Sequence, residues 1–79
     1  MYTSEMRRRH GENVKTARDE AEISQTTLAE LAGTSQQVIS RLEKGMQGAS
    51  DSLRVRIARA LNVDPAELFP YYTDEVIGS

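Results

Sequence analysis

The sequence has no cysteine and no tryptophan, and its 79 residues include one histidine, one phenylalanine and three tyrosines. Without cysteine, neither a disulfide framework nor a thiolate metal site can form. That composition is compatible with a reducing cytoplasm, where we expect the protein to act. With so few aromatic side chains, the core must be assembled from Leu, Ile, Val and Ala, which suits a small helical bundle. No apolar run approaches the ~20 residues a membrane-crossing helix needs, and the first residues show no signal-peptide pattern, so no membrane partner is expected. One histidine, no glycine-rich phosphate loop and no acid pair placed for proton transfer leave no constellation for catalysis. The chain therefore does not read as an enzyme, and no metal or cofactor is expected. Its length holds one small domain.

A net charge of −2 argues against a non-specific binder of nucleic acid. The distribution is more informative. All ten Lys and Arg lie in residues 1–63 with eight acids, whereas residues 64–79 carry only the acids Asp64, Glu67, Asp74 and Glu75. A faintly basic body with an acidic tail fits contact with DNA on one side only.

What the sequence does have is concentrated in residues 24–45, SQTTLAELAGTSQQVISRLEKG. Ser24 is suited to cap a helix, because its hydroxyl can accept from an unpaired amide of the first turn. Leu28, Leu31 and Ala32 follow at the i, i+3, i+4 spacing of a buried stripe. Gly33 can take a left-handed conformation and end the helix. Ser35 then caps a second helix, which Gly45 stops. Two short helices joined by a tight turn make a helix-turn-helix.

On a helical wheel at ~100° per residue, Gln36, Ser40, Lys44, Gln37 and Arg41 share an arc of roughly 140°. Val38, Ile39 and Leu42 occupy the opposite side. A Gln amide can bond the major-groove edge of adenine in two places, and Arg can do the same for guanine. Polar helix faces are commonly only solvated. Here, small Ala29 for close approach, Gly33 for the turn, and Ile39 and Leu42 to lock the second helix all match together.

Elsewhere, Met6, His10, Val14, Ala17 and Ala21 recur on one face and predict a first helix over about Glu5–Ala21, capped by Thr3 or Ser4. His10 reads as a boundary residue of that apolar face. Arg7, Arg8 and Arg9 are either a basic arm that touches phosphates or a solvated first turn. Arg18 borders the apolar face of this helix, and Glu43 borders that of the helix after Ser35. After Gly45, the loop MQGASDS brings no cation, and Met46 and Ala49 offer it no polar group. Ser50 or Asp51 caps the next helix, in which Leu53, Ile57, Ala60 and Leu61 face inward while Arg54, Val55, Arg56 and Arg59 do not. Asn62 ends it. Asp64 and Pro65 begin a last short helix with Leu68 and Phe69 as its apolar face, and Pro70 stops it.

Between about Gly11 and Phe69, and most densely from Ile23 to Gly45, the sequence resembles the DNA-binding domain of phage repressor and Cro proteins. Gln25, Ala29, Gly33, Ile39 and Leu42 carry the resemblance. It implies an all-α, compact five-helix repressor/Cro-like domain over residues 1–70, with its helix-turn-helix at 24–45, followed by a tail at 71–79 that serves as dimer contact or linker. It further implies a sequence-specific regulator of transcription that binds double-stranded DNA as a homodimer, of repressor, Cro or controller type. Gln36, Gln37, Ser40 and Arg41 are the residues expected to meet base edges. Gln25, Lys44, Gln47 and Ser50 are expected at phosphates, with Gln25 also bracing Gln36. Arg18 and Glu43 are expected to form a partly buried ion pair between the first and third helices, a structural role. Val55, Pro65, Ala66, Phe69, Tyr71 and Tyr72 are the candidates for the subunit contact. The rival reading is an antitoxin or adaptor whose main partner is another protein, such as a toxin, bound through the tail or the Arg54–Arg59 face.

Overall fold

The computed structural model describes residues 3–70, and the expectations placed on Tyr71, Tyr72 and the rest of the tail lie outside the described residues. Five helices follow one another: α1 (Ser4–Glu20), α2 (Gln25–Ala32), α3 (Gln36–Glu43), α4 (Asp51–Leu61) and α5 (Pro65–Leu68), and the fold is all-α. Each begins at a side-chain cap. Thr3, Ser24, Ser35, Ser50 and Asp64 accept from the backbone amides of Met6, Thr27, Val38, Leu53 and Ala66 respectively. Each of these bonds satisfies an amide that the helix itself leaves unpaired. Two helices end in the left-handed region, α2 at Gly33 (φ 69°) and α4 at Asn62 (φ 59°), the latter a residue type that tolerates it.

The core is aliphatic, as the shortage of aromatics requires. Val14 of α1, Leu28 of α2, Ile39 and Leu42 of α3 and Ile57 of α4 have no exposed surface. Helix α2 is the hub, packed against both α3 and α4, while α1 lies across α3 and α5.

Four burial expectations need correction: those of Leu31, Ala60 and Ala21, and that of His10, which is buried rather than at the boundary of the apolar face. Leu31 does not join the inward stripe of α2, being 61% exposed. The buried arc there is Leu28, Ala29 and Ala32, because the two helices packed on α2 close in over its small residues. On the wheel, Leu31 then falls at the rim, ~110° from the middle of that arc. In α4 the innermost alanine is Ala58, and Ala60 is only partly covered. Ala21 lies on the apolar side of the wheel, but α1 ends at Glu20, and Ala21 is exposed as the chain turns away from the core.

Gly11 was not singled out by the pattern and proves to be the contact point of α1 with α3. A methyl group there would overlap the carbonyl oxygen of Leu42 and stand 2.8 Å from that of Glu43. The only local signal was a glycine inside a helix, where it costs ~1 kcal/mol relative to alanine and so asks for a packing reason.

His10 has 1% of its surface exposed. Its Nε2 lies 2.8 Å from the Pro70 carbonyl oxygen, which can only accept, so Nε2 carries the proton. The ring stands edge-on to Phe69 at 5.4 Å, and the Arg54 guanidinium lies 5.3 Å from the centre of the same Phe69 ring. The residues that follow α5, Phe69 and Pro70, are thereby tied to the first helix by a polar bond as well as by packing.

Candidate nucleic-acid interface

Helix α3 is held from beneath by Ile39 and Leu42, both fully buried, with Val38 half-covered at the margin. With that face sunk in the core, the opposite arc faces outward. Gln36, Gln37, Arg41 and Lys44 are exposed, and Ser40 is half-buried between them. The Ser35 cap and the left-handed Gly33 set the angle at which α3 leaves α2, with the Thr34 amide bonded back to the Ala29 carbonyl at 2.9 Å. At its other end, the Met46 amide donates to the Arg41 carbonyl at 2.9 Å, and the chain turns through left-handed Gly45 against the backbone of Arg8.

Behind this face runs a chain of polar side chains. Arg18 donates to both oxygens of Glu43, from Nε to Oε2 at 2.7 Å and from Nη2 to Oε1 at 3.1 Å. The side chains of the pair are 12% and 3% exposed. Arg18 also donates through Nη1 to the Ile23 carbonyl at 2.8 Å. Its hydrogen bonds to the Glu43 carboxylate raise the guanidinium's pKa further above its usual value, so the charge is permanent. Glu43 Oε1 accepts again from Gln25 Nε2 at 2.9 Å, and Gln25 Oε1 accepts from Gln36 Nε2 at 2.7 Å. Both ends of the Gln25 amide are therefore engaged inside the protein, and what it has left for a phosphate is its second N–H. The pairing of Gln25 with Glu43 was not legible beforehand, since residues 18 apart in sequence show no periodic relation.

The remaining residues expected at phosphates line the path out of α3. Lys44 is exposed at its end, and Gln47 is half-buried with its amide 3.5 Å from the Gly48 carbonyl. The Ser50 hydroxyl caps α4, accepting from the Leu53 amide at 3.2 Å, and keeps its own proton to donate. In α1, Arg8 and Arg9 are engaged on their own helix: Arg8 with Glu5 and Glu12, Arg9 with Glu5. These exposed pairs contribute little to stability, but they hold Arg8 and Arg9 along the helix rather than in an extended arm.

The edge formed by α4 and α5 carries a groove of about 460 Å³ lined by Val55, Pro65, Ala66, Phe69, Arg54 and Pro70 among others. Val55 is 37% exposed, whereas Phe69, at 6%, is spent largely on the domain's own core. Among the described residues, no group of three or more His, Asp or Glu is placed to hold a metal ion, and no helix is long and apolar enough to cross a membrane.

A helix-turn-helix family model matches residues 14–68 of this sequence. The chain belongs to the helix-turn-helix family. It is a DNA-binding transcription regulator, and structures of other such regulators share its fold. The restriction-modification controller protein C.AhdI from Aeromonas hydrophila superposes with a TM-score of 0.80 at 29% identity, over 84% of this chain and 96% of that one. The clp gene regulator ClgR from C. glutamicum gives 0.75 at 25% identity, over 92% of this chain and 90% of that one. The P22 c2 repressor, solved with synthetic operator 9T, gives 0.74 at 24% identity over 77% and 92%, a likeness of fold. A search of curated proteins found no match.

Proposed function

We propose that this helix-turn-helix chain is a sequence-specific regulator, of repressor or controller type, that binds a near-palindromic operator in duplex DNA as a homodimer in the cytoplasm. The observation that carries the reading is the outer face of α3, where Gln36, Gln37 and Arg41 are exposed while Ile39 and Leu42 hold the helix rigidly from behind. In this reading α3 enters the major groove, and Gln36, Gln37 and Arg41 meet base edges with Ser40 assisting. Gln25, Lys44, Gln47 and Ser50 meet phosphates and set the register without reading sequence. The stretch between Gly45 and α4 contains no Lys or Arg, so affinity per protomer is modest and depends on pairing two protomers. The α4–α5 groove, with Val55, Pro65 and Ala66 at its rim, is the edge through which two copies would meet, placing half-sites ~34 Å apart. Likeness to C.AhdI, a restriction-modification controller by its description, supports the controller form.

The test is capture of randomised duplex DNA by the purified protein, followed by sequencing, with a Gln37→Ala/Arg41→Ala variant in parallel. An enriched near-palindrome that the variant loses is the expected result. Each lost bidentate contact should relax discrimination at its base pair by ~1–3 kcal/mol. Equal weakening on all sequences would show that α3 does not read bases.

A further inference from the structure

The polar chain behind α3 has a direction, and chemistry alone dictates it. A carboxylate can only accept hydrogen bonds. Glu43 therefore obliges Gln25 to turn its NH2 inward, which puts the Gln25 oxygen outward. That oxygen in turn obliges Gln36 to turn its own NH2 toward it, over 2.7 Å. Reversing the Gln36 amide would set two acceptor oxygens against each other. Reversing Gln25 would set its oxygen against a carboxylate that is itself anchored at both oxygens by Arg18. No link can flip alone, and the buried pair at the origin holds the whole series in one sense. Gln36 is left with its oxygen and its second N–H for a partner outside.

We infer that the Arg18–Glu43 pair, acting through Gln25, sets the direction in which Gln36 presents its amide and so fixes the base it accepts. The oxygen must meet a donor and the remaining N–H an acceptor. Adenine offers that pair in the major groove, as its N6 amino group and N7. Guanine presents two acceptors there, O6 and N7, and the fixed oxygen would face one of them. Gln25 and Glu43 are then positioning residues for specificity, although Glu43, with its side chain almost fully covered, touches no base. The inference rests on the proposed DNA reading and adds to it the polarity of one contact.

The experiment is the same capture and sequencing, run on four proteins: unmodified, Gln36→Ala, Gln25→Leu and the paired Arg18→Met/Glu43→Gln. Gln36→Ala identifies the base pair that Gln36 reads. Gln25→Leu cuts the chain between the ion pair and Gln36. The paired variant keeps the shape of the pair but replaces the carboxylate with an amide that can turn either way. Its folding is checked by circular dichroism. The expected result is that both Gln25→Leu and the paired variant reduce discrimination at the Gln36 position from about tenfold to about twofold or less, with all other positions of the operator retained. Gln25→Leu also loses a phosphate contact, which lowers affinity for every sequence equally without changing discrimination; a merely structural role for the chain would instead reduce discrimination at every position alike. That outcome, or an unchanged Gln36 position in either variant, overturns the inference and leaves the DNA reading standing. Failure of the unmodified protein to enrich any sequence overturns both.

Discussion

Replacing Arg18 by methionine should destabilise the domain more than replacing Glu43 by leucine, and doing both should cost less than the first alone. The difference lies in what each change strands. Arg18→Met removes two of the three hydrogen bonds that Glu43 accepts, together with the opposite charge, and leaves a carboxylate with 3% of its side chain exposed and Gln25 as its remaining donor. Breaking a buried pair this way costs about 3–5 kcal/mol. A domain of this length has roughly 4–12 kcal/mol in total, so much of its stability is at stake. Glu43→Leu leaves a guanidinium that is 12% exposed, still bonded to the Ile23 carbonyl, and 3.6 Å from Asp19. About 2–3 kcal/mol is expected there. The double variant leaves no uncompensated charge, only a half-buried Gln25 amide and an Ile23 carbonyl without its Arg18 donor, and should lie within ~2 kcal/mol of the unmodified protein. Urea unfolding followed by far-ultraviolet circular dichroism gives the three differences, and a double-mutant cycle isolates the coupling. Thermal scans should show Arg18→Met melting at least about 12 °C lower. If both single changes cost under ~1 kcal/mol, or the double costs their sum, the pair is not acting as a buried unit and the argument fails.

Two further outcomes are expected. Gly11→Ala, a gain of ~1 kcal/mol by helix propensity alone, should destabilise by about 1–3 kcal/mol net, because the added methyl meets backbone carbonyls of α3 that cannot rotate away; a rise in urea midpoint would show that α1 and α3 are not in close contact. Stability should also fall as pH drops below about 6.5, the ordinary value for histidine, because burial pushes the His10 imidazole below that value, with Arg54's charge adding to the effect and the Pro70 carbonyl opposing it. The unfolded chain then takes up a proton that the folded chain resists, so the slope is at most about 1.4 kcal/mol per pH unit and ends where folded His10 itself titrates. Urea titrations between pH 7.5 and 5, with His10→Gln as the comparison, check this. A flat or opposite trend in the unmodified protein would refute it.

The starts of the helices were legible because their determinants are local. A serine three residues or an aspartate two residues ahead of an available amide, Pro65 in a first turn, and Gly33 and Asn62 at left-handed stops act within one or two turns of their own position. The outward arc of α3 was equally readable, since an eight-residue helix with two fully buried aliphatics leaves little choice of orientation. What could not be read was set by neighbours distant in sequence. Leu31 and Ala60 sit at positions the period marks as inward, but the side from which α3 and α4 approach decides which small residues are covered. The bond from His10 to Pro70 and the link between Gln25 and Glu43 join elements whose adjacency exists only after folding. The Arg18–Glu43 pair was anticipated through family resemblance, because charge at the border of an apolar face does not by itself name its partner.

The bare backbone at Gly11 has a mechanical consequence. Helix α3 spans eight residues, ~12 Å, and rests on that notch at the carbonyls of Leu42 and Glu43, near its C-terminal end. Its opposite end is pinned by the Ser35 cap and the Gly33 turn. A side chain inserted at residue 11 would act as a shim under one end of a short lever: ~1 Å of lift there tilts the axis by about 5°. Arg41, directly before the raised carbonyls, would be displaced most and Gln36 least. In the proposed DNA reading, crowding at the crossing of α1 and α3 would therefore be felt first as misreading at the position assigned to Arg41, while Gln36 at the pinned end kept its aim.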